Sequence, residues 1–323
     1  FTQADIDVVG LGELPFHYEV DLPLVMAEAL MSLPIPPVHV LVNNRKVVQG
    51  VCEGIGVSDV ESALRGLDKL DKIGPEGVRE ELTEAGLNSE QIDVLLRMAQ
   101  IRSEDASQLQ QEVAALGVSS ETLDQGLTEL CALVDEANAA MPGVIIADLK
   151  IARGLDYYTG SVYESEIVGH EDLGSICSGG RYDSLAKDGK RTYPGVGLSI
   201  GVSRLVSRIL SQDMVSASRK VPTCVVIAVA DESERRHCNA LATILRRRGI
   251  PTDVAPSAAK FGKQIKFADK RGIPFVWFPG SDGEADTVKD IRSGEQVEAD
   301  IYSWQPPEDD VRPAIRPTEE LDS

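Results

Sequence analysis

Four short stretches carry residue types that could do chemistry. Residues 151–160, IARGLDYYTG, set a carboxylate and two phenols between two glycines, with a guanidinium just before the first. In a chain that is only 5% aromatic, paired tyrosines beside an Arg-Gly step are either a half-buried hairpin strand with an unusual tip or a site that grips something polar and anionic. Residues 177–183, CSGGRYD, place a Gly pair before Arg181, Tyr182 and Asp183; this is a structural turn or the wall of a pocket. In residues 194–205, PGVGLSIGVSRL, the glycines at 195, 197 and 201 let backbone run close to a ligand. Arg204 then falls in the first turn of a helix, where free N–H groups favour anions. It is either a surface Arg on a strand–helix connection or a phosphate contact. No G-K-[ST] is present there, so this is not a P-loop. Residues 1–10, FTQADIDVVG, alternate as a strand with Gln3, Asp5 and Asp7 on one face. Such groups are costly to bury without partners. They face solvent, or they line a pocket for a hydrogen-bonding, partly cationic substrate. The sequence shows no Ser/His/Asp triad, Cys nucleophile or metal-ligand cluster, so the chemistry implied is positioning and electrostatic stabilisation.

The elements that must hold these stretches follow from periodicity. Ile6, Val8 and Val9 mark the first strand. Asp21 and Pro23 read as the N-cap and first turn of a helix over LPLVMAEALMSL. PPVHVLVNNRKVVQGV reads as a strand with Asn43-Asn44 as a hairpin tip. Residues 58–141 form a run of short amphipathic helices: Leu64, Leu67 and Leu70, then Ile92, Leu95, Leu96 and Met98, with breaks at Gly74-Pro75, Gly86 and Gly117. Strands return at Val144. Thr159-Gly160 reads as a turn between two alternating strands, which sends Tyr157 and Tyr158 to opposite faces. A helix with Leu205, Val206 and Ile209 follows Gly201. After Ser218-Arg219-Lys220 the pattern resets. CVVIAVAD is a continuous apolar strand, the kind a parallel sheet buries on both faces. Two helices and further strands alternate after it, and TVKDIRSGEQVEADI reads as a closing hairpin. The predicted domains are 1–57 with 142–217, a helical insertion over 58–141, an α/β domain over 221–303, and a loosely held Pro- and acid-rich tail over 304–323.

The net charge of −20 argues, on its face, against a nucleic-acid partner. The acids concentrate in 58–137 and after Trp304, however, while 246–271 is locally basic. No window approaches the roughly 18 apolar residues of a membrane span, and no secretory leader opens the chain; no membrane partner is expected. Cys52, Cys131, Cys177, Cys224 and Cys238 form no C-x-x-C pair and fit a reducing cytosol, so a cytoplasmic location is expected. His17, His39, His170 and His237 lack ligand spacing, so no structural metal is expected. The chain opens on Phe1, within a strand, and a preceding N-terminal part is expected.

Together the four stretches resemble the histidyl-tRNA synthetases, which are class II aminoacyl-tRNA synthetases. ARGLDYYTGSVYE and CSGGRYDSL look like the two histidine-specific signatures, GVGLSIGVSRL like class II motif 3, and FTQADIDVVG like the strand that closes motif 2. The resemblance covers nearly the whole chain in the family's order. It implies an α+β catalytic domain built on a mainly antiparallel sheet, with a helical insertion near the tRNA acceptor arm, plus a C-terminal α/β anticodon-binding domain. It implies ATP-dependent activation of histidine to histidyl-adenylate, with Mg2+ accompanying ATP, and transfer to tRNA(His). By the same resemblance, Arg153 contacts the α-phosphate and Arg204 the γ-phosphate of ATP. Tyr158 and Asp7 hold the imidazole, Gln3 contacts the amino acid near its reacting carboxylate, and Tyr157 and Tyr182 line the pocket. A site that pairs both imidazole nitrogens rejects amino acids that leave its polar groups unsatisfied. tRNA would meet local basic surface at Arg246, Arg247, Arg248, Lys260, Lys263, Lys266 and Lys270, or these are solvated helix faces. Motif 1 and the start of motif 2 are not among these 323 residues. The resemblance implies that they carry the main homodimer contact and further ligands of ATP and histidine, so weakened activity of this chain alone is expected. Two rival readings predict different behaviour. One is a catalytically inactive, synthetase-like regulatory or tRNA-sensing module, such as the ATP phosphoribosyltransferase regulatory subunit, which lacks an anticodon domain. The other is a generic nucleotide-binding protein, which would bind ATP without histidine dependence.

Overall fold

The computed structural model describes residues 1–152, 154, 157–281 and 283–318. The chain divides into two units, Phe1–Gln212 and Asp213–Ser323. In the first unit the elements are β1 (Ala4–Val9), α1 (His17–Met31), β2 (Val38–Asn44), α2 (Arg45–Gly54), α3 (Val60–Leu67), α4 (Leu70–Glu84), α5 (Ser89–Met98), β3 (Arg102–Ser103), α6 (Ala106–Ala114), α7 (Glu121–Ala140), β4 (Ile145–Asp148), β5 (Ser161–Ile167), β6 (Cys177–Asp188), β7 (Arg191–Ile200) and α8 (Val202–Ser211). Among the described residues the strands form one sheet in the order β1-β7-β6-β5-β2-β4-β3. Every pairing is antiparallel except β2 with β4. The apolar sides of α1 and α7 pack on this sheet, burying Leu22, Met26, Leu30, Leu130 and Val134.

Three local expectations are corrected. Asn43-Asn44 is not a hairpin tip. Asn44 ends β2 and its side chain accepts from the Lys46 amide, capping α2. Asn43 is buried and its Nδ2 donates to the Ile151 carbonyl at 2.8 Å, which fixes the start of the 151–160 stretch. The first helix begins at His17 rather than at Asp21, so Pro23 lies inside it. A proline there deprives the Glu19 carbonyl of its helical donor, and the Tyr163 hydroxyl donates to that carbonyl at 2.9 Å instead. The described part of 151–160 is not a strand. The amides of Tyr157 and Tyr158 both donate to the Gly154 carbonyl, at 3.1 and 2.9 Å, and β5 starts only at Ser161. The alternation rule therefore does not apply to the two tyrosines.

The second unit contains β8 (Val215–Ala217), β9 (Val225–Ile227), α9 (Arg235–Arg247), β10 (Thr252–Val254), α10 (Phe261–Arg271), β11 (Phe275–Phe278), β12 (Thr287–Asp290), β13 (Gln296–Glu298), α11 (Glu308–Val311) and β14 (Ile315–Pro317). Its main sheet, β10-β9-β11-β12-β13 among the described residues, is parallel across β10-β9-β11 and ends in the β12–β13 hairpin. Cys224–Val229 and Trp277 are fully buried in its core, as a continuous apolar run requires. The stretch after Trp304 is tied down as far as Thr318. β14 pairs with β8. The Arg219 guanidinium donates to the carbonyls of Val221, Pro222, Asp310 and Val311, and Arg292 grips the Asp310 carboxylate with two bonds of 2.7 and 2.8 Å. Composition misses this because the hold is made by backbone carbonyls and one arginine fork, not by apolar side chains.

Candidate active site

The sheet of the first unit has two unlike faces. Residues paired across antiparallel strands point to the same side. Asp7, Gly197, Gly180, Val162 and Asn43 therefore form one row, and Asp5, Ser199, Ser178, Glu164 and Leu41 form the next. The residues between them in sequence, such as Leu198 and Tyr163, point the other way, toward α1. The first face is thus mainly polar and glycine-rich, where the second is mostly apolar and packs on α1 and α7.

The glycines have a specific steric task. A Cβ on Gly197 would lie 2.0 Å from Asp7 Oδ1, and one on Gly195 would lie 2.4 Å from the Tyr182 hydroxyl. The Tyr158 ring sits between Gly154 and Gly180, where added Cβ atoms would fall 1.9 Å and 2.8 Å from it. Sequence reasoning assigned Gly195 and Gly197 to the close approach of a ligand. They make room for the chain's own Asp7 and Tyr182, which lie flat across the strands.

These side chains meet. The Tyr182 hydroxyl donates to Asp7 Oδ1 at 2.8 Å. Burial, then the hydrogen bond to Asp7 and its charge, push the Tyr182 phenol up to about 12. Burial, then Tyr157, raises the Tyr158 phenol well above its ordinary value, with Asp7 and Tyr182 adding to the effect. Both phenols are neutral hydroxyls at physiological pH. Tyr158 packs against the cluster of Leu41, Ile151 and Val162. The Tyr157 ring lies 4.3 Å from it, centroid to centroid, tilted by 55°. The two tyrosines form one wall, which corrects the expectation of opposite faces.

Two cavities share Ser178. One, of about 480 Å³, is lined by Tyr157, Tyr158, Ser178 and Gly179, together with Arg65, Asp68 and Lys72 from the α3–α4 region. The other, of about 280 Å³, is lined by Gln3, Ser178, Ser199 and Arg204. Gln3 Nε2 donates to Ser199 Oγ at 2.8 Å. Arg204 lies in the first turn of α8, and its Nη2 donates to the Leu173 carbonyl at 3.0 Å. Arg153 lies outside the described residues. Among the described residues no group of His, Cys, Asp and Glu could hold a metal ion. Asp7 and Tyr182 are not among the residues lining either cavity: the first sets the phenols of Tyr157 and Tyr158 against Arg65, Asp68 and Lys72, and the second sets the Gln3 amide near the Arg204 guanidinium.

The basic residues of the second unit divide by what they touch. Arg246 Nε donates to the Thr252 carbonyl at 2.8 Å, and Arg248 donates to the carbonyls of Ile301 and Trp304, so both arginines close their own unit. Arg247, Lys260, Lys263, Lys266 and Lys270 are exposed. Lys263, Lys266 and Lys270 recur at three and four along one face of α10.

Sequence reasoning missed Glu19, which is buried and whose Oε1 accepts from Arg181 Nη1 at 2.6 Å. A signal was available: Glu19 shares a helical face with Leu22, Pro23, Met26 and Leu30, all core residues. An acid on that stripe needs a buried partner.

An antiparallel-rich sheet with helices packed on its apolar face and cavities on its polar face, followed by a separate α/β unit, is the architecture of class II aminoacyl-tRNA synthetases that carry a C-terminal anticodon-binding domain. Residues 10–205 match the family described as histidyl-tRNA synthetase, and residues 223–303 match the anticodon binding domain. The chain is 55% identical over 319 residues to the histidine–tRNA ligase of Micrococcus luteus, covering 98% of this chain and 69% of that protein. It is 52% identical over 324 residues to that of Cutibacterium acnes, covering 98% of this chain and 71% of that protein. The crystal structure of histidyl-tRNA synthetase from Nostoc sp. PCC 7120 superposes with a TM-score of 0.78 at 34% identity, over 92% of this chain and 71% of that one. The chain belongs to the histidyl-tRNA synthetase family. None of the described helices is long and apolar enough to cross a membrane.

Proposed function

We propose that this chain binds histidine and ATP, forms histidyl-adenylate and transfers the histidyl group to tRNA(His), working in the cytoplasm as half of a homodimer. The observation that carries this reading is the Asp7–Tyr182 pair beside Tyr158, each seated by a glycine. Asp7 accepts from one imidazole N–H. The neutral Tyr158 hydroxyl serves the other ring nitrogen, and Tyr157 and Tyr182 wall the ring. Gln3, held by Ser199, contacts the amino acid near its carboxylate. That carboxylate attacks the α-phosphorus of ATP, and pyrophosphate departs. Arg153 stabilises charge at the α-phosphate and Arg204 holds the γ-phosphate, with Mg2+ arriving as part of the ATP complex. Exposed Arg247, Lys260, Lys263 and Lys266 are the better tRNA contacts. Arg246 and Arg248 contribute less, because their guanidinium groups already hold backbone carbonyls.

Histidine-dependent ATP–pyrophosphate exchange tests this. The expected result is exchange with histidine and not with other amino acids. ATP binding with no histidine dependence overturns the reading. The 323 residues span 69% of the Micrococcus luteus relative, and exchange well below that enzyme's rate is expected; equal rates would refute this. Arg153→Ala is expected to slow adenylate formation by about 10²-fold, because the contact is made mainly in the transition state, while histidine binding survives. Pre-steady-state adenylation within a few-fold of the unsubstituted protein would remove that role.

A further inference from the structure

Tyr158 and Tyr182 come from separate segments, a turn and a strand, and both must meet one ligand. Something has to fix the distance between them. The structure assigns this to a buried ion pair behind the sheet: we infer that Glu19 and Arg181 are positioning residues for histidine recognition, tying the Tyr158 turn to the strand that carries Tyr182. The inference rests on the substrate reading above and goes beyond it, since neither side chain faces the site.

Arg181 precedes Tyr182 on β6, so its side chain leaves by the opposite face. There its Nη1 donates to Glu19 Oε1 at 2.6 Å and to the Leu14 carbonyl at 3.2 Å, and its Nε donates to Asp183 Oδ1 at 3.1 Å. The Glu19 and Arg181 side chains are only 3% and 19% exposed. Both ends of the pair reach the turn. Glu19 Oε2 accepts from the Ser161 amide at 3.2 Å. The Arg181 carbonyl accepts from the Thr159 amide at 2.8 Å, and Asp183 accepts from the Thr159 hydroxyl. Gly160 lies between, and a Cβ there would fall 2.9 Å from Arg181 Cδ and 3.1 Å from Glu19 Oε2. The Glu19 carbonyl is anchored separately by Tyr163, so its carboxylate works from a fixed base. An apolar pair could fill this space with equal or greater stability. What an ion pair adds is one geometry, because a charged fork meets a carboxylate in few ways.

The test is histidine and ATP affinity measured by calorimetry on the 323-residue chain, with thermal unfolding alongside. Glu19→Gln and Arg181→Met are expected to weaken histidine binding by about tenfold or more, since a misplacement of about 1 Å in a positioned site costs on the order of 10²-fold. ATP affinity, set at the Arg204 end, is expected to stay within about twofold. Arg181→Lys, which keeps one donor for Glu19, should recover part of the loss. Asp183 is 44% exposed, so Asp183→Asn reads the same network even if the buried variants fail to fold; a loss of about threefold for histidine alone is expected. Unchanged histidine affinity in the folded variants overturns the inference. So does a parallel loss for both ligands, which marks a merely structural pair. An unsubstituted chain that binds ATP but not histidine overturns the substrate reading, and this inference with it.

Discussion

Replacing Asp7 by alanine is expected to lower kcat/KM for histidine in the exchange reaction by about 10³-fold or more, with ATP affinity within a few-fold of the unsubstituted protein. The size follows from what the carboxylate does twice. It accepts from the Tyr182 hydroxyl at 2.8 Å, and in the proposed reading it also accepts from the imidazole N–H. Removing it leaves a half-buried phenol without its partner and the ligand N–H without an acceptor. Each unmatched group costs about 1–3 kcal/mol, more when a charge is involved. Asp7→Asn keeps the shape and one carbonyl acceptor but loses the charge, so it should fall between the two. Michaelis kinetics with histidine varied at saturating ATP decides the matter. A histidine kcat/KM within tenfold of the unsubstituted value would show that the imidazole is held elsewhere.

Gly197→Ala should imitate loss of Asp7 without touching any polar group. The added Cβ would sit 2.0 Å from Asp7 Oδ1 and 3.0 Å from the Ile6 carbonyl, so the carboxylate must swing away from Tyr182 or β1 must draw back from β7. Either movement is expected to reduce histidine kcat/KM by about 10²-fold, in line with the cost of misplacing a positioned group by about 1 Å. Because the two changes remove the same interaction, the double variant Asp7→Ala with Gly197→Ala should be little worse than Asp7→Ala alone. Gly262→Ala is the control: nothing lies within 4 Å of its would-be Cβ on α10, and activity should hold. Additive losses in the double variant would show that Gly197 serves something other than Asp7.

Much of this was legible in the residues themselves. The alternation of residues 1–10 placed Gln3, Asp5 and Asp7 on one face, and the continuous apolar run after Thr223 marked a buried parallel strand, because both patterns are local and repeat with the backbone. The glycines at 195 and 197 were legible as a close approach but not as to what approaches, since the partner Asp7 is brought in by strand pairing from the other end of the unit. The 157–158 pair was misread because two phenols in a row mimic a strand, whereas the Gly154 carbonyl collects both amides and folds them into a turn. Pro23 gave the wrong helix start because the compensating donor, Tyr163, is remote in sequence and cannot be seen from the helix alone. The Glu19–Arg181 pair was only half legible: the apolar stripe of α1 shows that Glu19 needs a buried partner, but nothing near it in sequence says that the partner is Arg181, because a buried ion pair is a fact of tertiary contact.

The pairing of β14 with β8 has a topological consequence. Among the described residues it brings the first and last strands of the second unit side by side, with the Thr318 amide donating to the Met214 carbonyl at 3.0 Å. A domain whose two ends leave at one point can be grafted into a host loop, or given new ends by circular permutation, without stretching its core. The Asp290–Glu295 turn between β12 and β13 is a natural place to open it, once residues 213 and 318 are joined by a short linker.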